Sequence, residues 1–78
     1  MRNYEFQVGG TTWTVNEGPD LRVNGHQVTE WEVRKHCADE FGHPYMHKHR
    51  NTYIPRRATI AQIKAHIADN YAGQEEAA

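Results

Sequence analysis

The most constraining feature is near the start of the chain, where two runs of alternating residues flank a pair of glycines. Tyr4, Phe6 and Val8 alternate with Glu5 and Gln7, Gly9-Gly10 follows, and Thr11 to Val15 repeats the pattern with Trp13 and Val15 on one side. A period of two is that of a half-buried strand, and glycine accepts the positive φ that a tight turn needs. The chain therefore opens with an antiparallel hairpin, strands near 3–8 and 11–16, and one face must be covered by something else.

Gly18-Pro19-Asp20 then reads as a loop, and Leu21–Val23, Asn24-Gly25 and His26–Val28 as a second, short hairpin, since Asn-Gly suits a type I′ turn. Thr29 with Glu32 has the form of a capping box, and Val28 with Val33 that of a hydrophobic staple. Val33, Cys37 and Phe41 follow at spacing four, and Gly42 and Pro44 supply a stop. The expectation is a helix over 30–41. Residues 45–54 are expected to be extended, with a hairpin turn near Arg50-Asn51. Thr59 and Gln62 form a second capping box ahead of an Ile60, Ile63, Ile67, Tyr71 stripe closed by Gly73, which predicts a helix over 60–72. The fold expected is α+β: a small antiparallel sheet with two helices packed on one face, in the order β-β-(short hairpin)-α-β(β)-α. Residues 1–73 make one domain and 74–78 a frayed tail.

At 78 residues the chain has room for one modest core. No apolar run approaches the ~20 residues of a membrane span, and no apolar signal core follows the N-terminus, so no membrane partner is expected and the default setting is cytoplasmic. The lone Cys37 agrees, because it has no internal partner for a disulfide.

Several chemistries are excluded or disfavoured. Serine is absent, which removes a serine nucleophile. Neither a Gly-x-x-x-x-Gly-Lys loop nor a Gly-x-Gly-x-x-Gly fingerprint occurs. Cys37 on the apolar stripe of the expected helix reads as a core residue, not a reactive thiol. No nucleophile–base or carboxylate pair stands at a convincing spacing, so the chain reads as non-catalytic and without a cofactor.

Charge is unevenly spread although the net value is only -1. Residues 1–33 carry two cations against five carboxylates, or -3; residues 34–57 carry six against two, or +4; residues 58–78 carry one against three, or -2. In the basic middle, Lys48, Arg50, Arg56 and Arg57 interleave with Tyr45 and Tyr53. On a helix over 30–41, Trp31 falls about 160° from Val33, on the outer face between Arg34 and Lys35. Exposed Trp, Tyr and Arg are the residues that dominate interface energetics. The leading reading is a protein-binding module, a small inhibitor or adaptor, that uses Trp31, Arg34, Lys35, Tyr45, Lys48, Arg50, Tyr53, Arg56 and Arg57 against an acidic partner. A second reading gives the aromatic and basic segment 43–57 to nucleic acid, with cations on phosphates and rings on bases. A third is a small structural zinc domain held by Cys37, His43, His47 and His49.

Overall fold

In the computed structural model, which describes residues 1–72, both turn signals close hairpins. Gly9 and Gly10 take φ of 59° and 81°, and Asn24 and Gly25 take 51° and 82°, the paired positive values of a type I′ turn. The strands they join are longer than the local patterns suggest. Strand β1 (Asn3–Val8) pairs with β2 (Thr11–Val23), and β2 pairs along its length with β3 (His26–Ala38). The expected loop at Gly18-Pro19 is a bulge in which the register shifts between Glu17 and Asp20. A Cβ on Gly18 would lie 2.8 Å from the Glu30 carbonyl oxygen, so the bulge brings the two backbones together at a site only glycine fits.

The fold expected from the sequence is corrected here: the chain is mostly β, and the helix over 30–41 does not exist. Residues 30–38 form most of β3 and 39–41 begin the loop after it. Thr29 caps nothing; it is fully buried and its hydroxyl donates to Asp20 Oδ1 at 2.7 Å. The hairpin expected at Arg50-Asn51 is also absent. Strands β4 (Pro44–Lys48) and β5 (Thr52–Pro55) both run antiparallel to β3, along the same edge of it, β4 beside Arg34–Ala38 and β5 beside Val28–Trp31. They are one interrupted strand, with His49–Asn51 crossing the gap. The five strands make a single antiparallel sheet in the order β1-β2-β3-β4, with β5 also on β3.

One helix covers the sheet, not two. Helix α1 (Ile60–Ile67) runs on into a π-helical turn, Ala68–Ala72. Its start is as the sequence predicts: Thr59 Oγ1 accepts from Gln62 N at 3.2 Å, and Gln62 Oε1 accepts from Thr59 N at 2.8 Å. Gly73 and the tail 74–78 lie outside the described residues. Ile63, Ile67, Tyr71 and Ala72 pack on Phe6, Trp13, Val15, Trp31, Val33 and Ile54 in one core. The register explains the choice of face. Phe6 opposes Trp13, Val15 opposes Val33, and Trp31 lies two residues from Val33, so all point to the helix side. Phe41, expected in the core, is 76% exposed in the β3–β4 loop, and Cys37 is half-buried, its Sγ 3.7 Å from the Lys35 carbonyl oxygen.

The opposite face of the sheet is open. It carries Glu5, Thr14, Glu30, Glu32, Arg34, His36, Lys48 and Tyr53 by the same alternation. The molecule is elongated, 46 × 25 × 19 Å. No helix among the described residues is long and apolar enough to cross a membrane.

Candidate functional site

Beyond the bulge, β2 and β3 continue as a ribbon, and this places three arginines together. Arg22 opposes Gln27 across the hairpin. The β3–β5 register, Val28 with Pro55, continues to Gln27 beside Arg56, whose N–H donates to the Gln27 carbonyl at 3.3 Å. Arg22, Gln27 and Arg56 therefore form one cross-strand row on the helix side. Gln27 Oε1 lies 3.4 Å from Arg56 Nη1, and Arg56 Nε is 3.4 Å from Asp20 Oδ2. Arg22 and Arg57 have no ion pair among the described residues. Arg57 stands at the mouth of an open cleft of about 360 Å³ between β5 and α1, lined by Ile54, Pro55, Arg57, Ala58, Gln62 and His66. The first turn of α1 holds no acidic residue, so the positive end of the helix adds to the arginines.

His66 is the titratable group that lines this cleft beside Arg57, and its bonds define what it can do. Its Nε2 lies 2.7 Å from Thr52 Oγ1, and Asn70 Nδ2 lies 3.4 Å from its Nδ1. This resembles a nucleophile, base and orienting group, but the polarity is reversed. Asn70 Nδ2 also donates to the His66 carbonyl at 2.9 Å, which fixes the amide with its N–H groups toward the histidine. Nδ1 is then the acceptor and Nε2 carries the proton, donating to the threonine instead of deprotonating it. Burial lowers the His66 pKa, against a smaller raising effect of Asp69, and so favours this neutral form. The group is a structural clamp between β5 and α1.

The nine residues expected to form one binding surface are divided by the strand structure. Trp31 is 1% exposed and belongs to the core, stacked on Tyr4 at 6.0 Å with the Arg2 guanidinium 5.2 Å from its ring. Its outward position is corrected accordingly. Arg34 and Lys48 face each other on the open face, and Glu32 neutralises both, at 2.7 Å and 3.8 Å. These contacts lower the Glu32 pKa, chiefly through the Arg34 hydrogen bond. Lys35 lies on the helix side, 6.0 Å from the Trp13 ring. Tyr45 is on the outer strand and Tyr53 on the open face opposite Glu30, both half exposed. Arg50 lies 5.6 Å from the Tyr71 ring, and the Tyr71 hydroxyl donates to its carbonyl. Of the nine, Arg57 lines the cleft, and Arg56 precedes it in the row with Gln27. Arg22, which sequence reasoning passed over, stands in the same row. The Asn24-Gly25 turn does fix Arg22 opposite Gln27, but nothing local shows that β5 lies on the other side.

The four residues of the zinc reading do not assemble. Cys37 faces Tyr45, His43 pairs with Asp39 in the loop at 3.4 Å, and the His49 ring packs on Trp13, Tyr71 and His47. Among the described residues no three His, Cys, Asp or Glu side chains are grouped to hold a metal ion. The parts of the nucleic-acid reading are divided between the two faces: Tyr53 and Lys48 are on the open face with Glu5, Glu30 and Glu32, whereas Tyr45 and Arg56 are on the helix side. Comparison with protein-family models, with curated proteins and with solved structures finds no match to this chain.

Proposed function

We propose that the protein is a non-catalytic binding module of inhibitor or adaptor type, and that it holds an acidic segment of a partner protein at the ribbon end of the sheet. The observation that supports this reading most is the row Arg22–Gln27–Arg56 beside Arg57 at an apolar-walled cleft. Arginine presents a planar fork matched to carboxylates, and a cleft walled by Ile54, Pro55 and Ala58 accepts an apolar side chain next to them. A peptide that alternates acidic and apolar residues has both parts. Nucleic acid is the weaker reading, because the net charge is -1 and Tyr53 is on the open face, away from Arg22, Arg56 and Arg57.

The test is an NMR titration of labelled protein with an alternating Glu-Leu peptide and, separately, with a mixed-sequence oligonucleotide. Shifts at Arg22, Arg56, Arg57, Gln62 and His66 with the peptide, abolished in the Arg22→Glu/Arg57→Glu double variant, are the expected result. Shifts with the oligonucleotide alone, falling steeply with salt, would transfer the site to nucleic acid.

A further inference from the structure

We propose that the free edge of β4 pairs with β4 of a second copy of this chain about a two-fold axis at Met46. The residues of β4 are all exposed, and β4 has β3 as its only sheet neighbour among the described residues. An unpaired, exposed edge is a template for another strand. Its hydrogen-bonding groups are set by the β3 register. Asp39 N donates to the His43 carbonyl at 3.0 Å and His49 N to the Val33 carbonyl at 2.9 Å, around the pairs Ala38–Pro44 and Arg34–Lys48. By the alternation of antiparallel ladders, Tyr45 and His47 exchange bonds with β3. The N–H and C=O of Met46 and Lys48, and the C=O of Pro44, point outward.

This set is self-complementary. With Met46 opposite Met46 of the second copy, the two Met46 residues exchange two bonds. Each Lys48 N–H reaches a Pro44 carbonyl of the other copy. Pro44 lacks an N–H, yet all four of these bonds form without it. Side chains agree with the same axis. Met46, 51% exposed, meets its own copy on the open face, and Tyr45, 50% exposed, meets His47 on the helix side. Charge agrees as well. One end of β4 lies beside Asp39 and Glu40 across its hairpin, and the other ends on Lys48, 3.8 Å from Glu32, and leads to Arg50, so antiparallel pairing sets the acidic end of each copy beside the Lys48 and Arg50 end of the other. A parallel or unrelated strand lacks this match. The product is one continuous ten-strand sheet, running β1-β2-β3-β4 to β4-β3-β2-β1 with β5 of each copy on its β3, and an isologous interface.

The experiment is analytical ultracentrifugation over micromolar to millimolar protein, with wild type, Met46→Pro and Met46→Lys. Proline at 46 removes only an outward N–H, and Tyr45 before it is already extended, so the fold should persist by circular dichroism. A wild-type dimer that both substitutions weaken about tenfold or more supports the pairing. A monomer at millimolar concentration, or a dimer that Met46→Pro leaves unchanged, overturns it. If Met46→Pro fails to fold, amide exchange in the wild type decides. Concentration-dependent protection of Met46 and Lys48 supports the edge contact, and fast exchange of both at all concentrations overturns it.

Discussion

Replacing Trp31 with alanine separates the strand structure from the helical alternative more sharply than any surface change. On an outward helix face the substitution would cost binding and leave stability nearly untouched. In the sheet, Trp31 is 1% exposed, stacks on Tyr4 and lies under the Arg2 guanidinium. Removing a buried tryptophan costs about 3–5 kcal/mol, the transfer free energy plus that of the cavity left behind. A domain of 78 residues has a total stability of about 4–12 kcal/mol at the usual 0.05–0.15 kcal/mol per residue. Trp31→Ala should therefore lose between about a quarter and all of that stability at 25 °C. Trp31→Phe keeps an aromatic ring against Tyr4 and should cost about 1–2 kcal/mol. Urea unfolding followed by circular dichroism measures both, and Trp13, also fully buried, remains as the one tryptophan reporter. An alanine variant that unfolds cooperatively within about 1 kcal/mol of wild type would refute the core placement and with it the register of β3.

Other consequences are checked in the same way. Thr59→Ala removes the side-chain acceptor for Gln62 N and should lower the unfolding free energy by about 1 kcal/mol, with Thr59→Ser close to wild type. Gly18→Ala forces a Cβ to within 2.8 Å of the Glu30 oxygen and should cost about 1–3 kcal/mol in the same measurement. Burial sets the His66 pKa below its ordinary 6.5, so the unfolded chain binds the proton more readily and stability falls as the pH drops from about 6.5 toward the folded value; thermal melts between pH 8 and 5 should show this slope and His66→Gln should flatten it. Glu17, hydrogen-bonded to Arg2, has its pKa lowered from 4.5, so its contribution is present above that value and is lost only in more acid solution, which an Arg2→Gln variant should reveal as a shallower acid limb.

The residues that mislead about β3 satisfy two periodicities at once. Val33 and Cys37 are four apart, and a spacing of four returns to the same side of a helix and also to the same face of a strand. Trp31 and Val33 resolve the ambiguity, since a spacing of two is co-facial only in a strand. From Thr29 to Arg34 the residues Thr29, Trp31 and Val33 alternate with Glu30, Glu32 and Arg34, and that pattern, which Lys35 interrupts, outweighs the resemblance of Thr29 and Glu32 to a capping box. Where a capping box and a period of 3.6 coincide over a longer stretch, at Thr59–Tyr71, the helix forms as read. Both glycine-containing turns were legible because positive φ is a local demand. The pairing of β4 and β5 on one edge of β3 was not, because it depends on contacts distant in sequence, and the polar composition of residues 45–54 is what exposure on an outer strand permits.

The binding surface was harder to read for the same reason. A helix gathers charges three and four apart on one face, whereas a strand sends neighbours to opposite faces. Once 26–38 is a strand, Arg34 and Lys35 separate, and Arg34 meets Lys48 with Glu32 to neutralise both. The +4 of residues 34–57 is thereby divided between two faces and partly cancelled within the sheet. The arginines of the proposed site come from chain segments far apart in sequence. Arg22 comes from the ribbon, and Arg56 and Arg57 from the link between β5 and α1. Among the described residues only Arg56 of these three has a carboxylate, Asp20, beside it, and at 3.4 Å from a half-exposed side chain that pairing is weak. An acidic ligand would displace little to reach the arginines, which is the physical ground for the proposal that recognition lies at this end of the sheet and not across its open face.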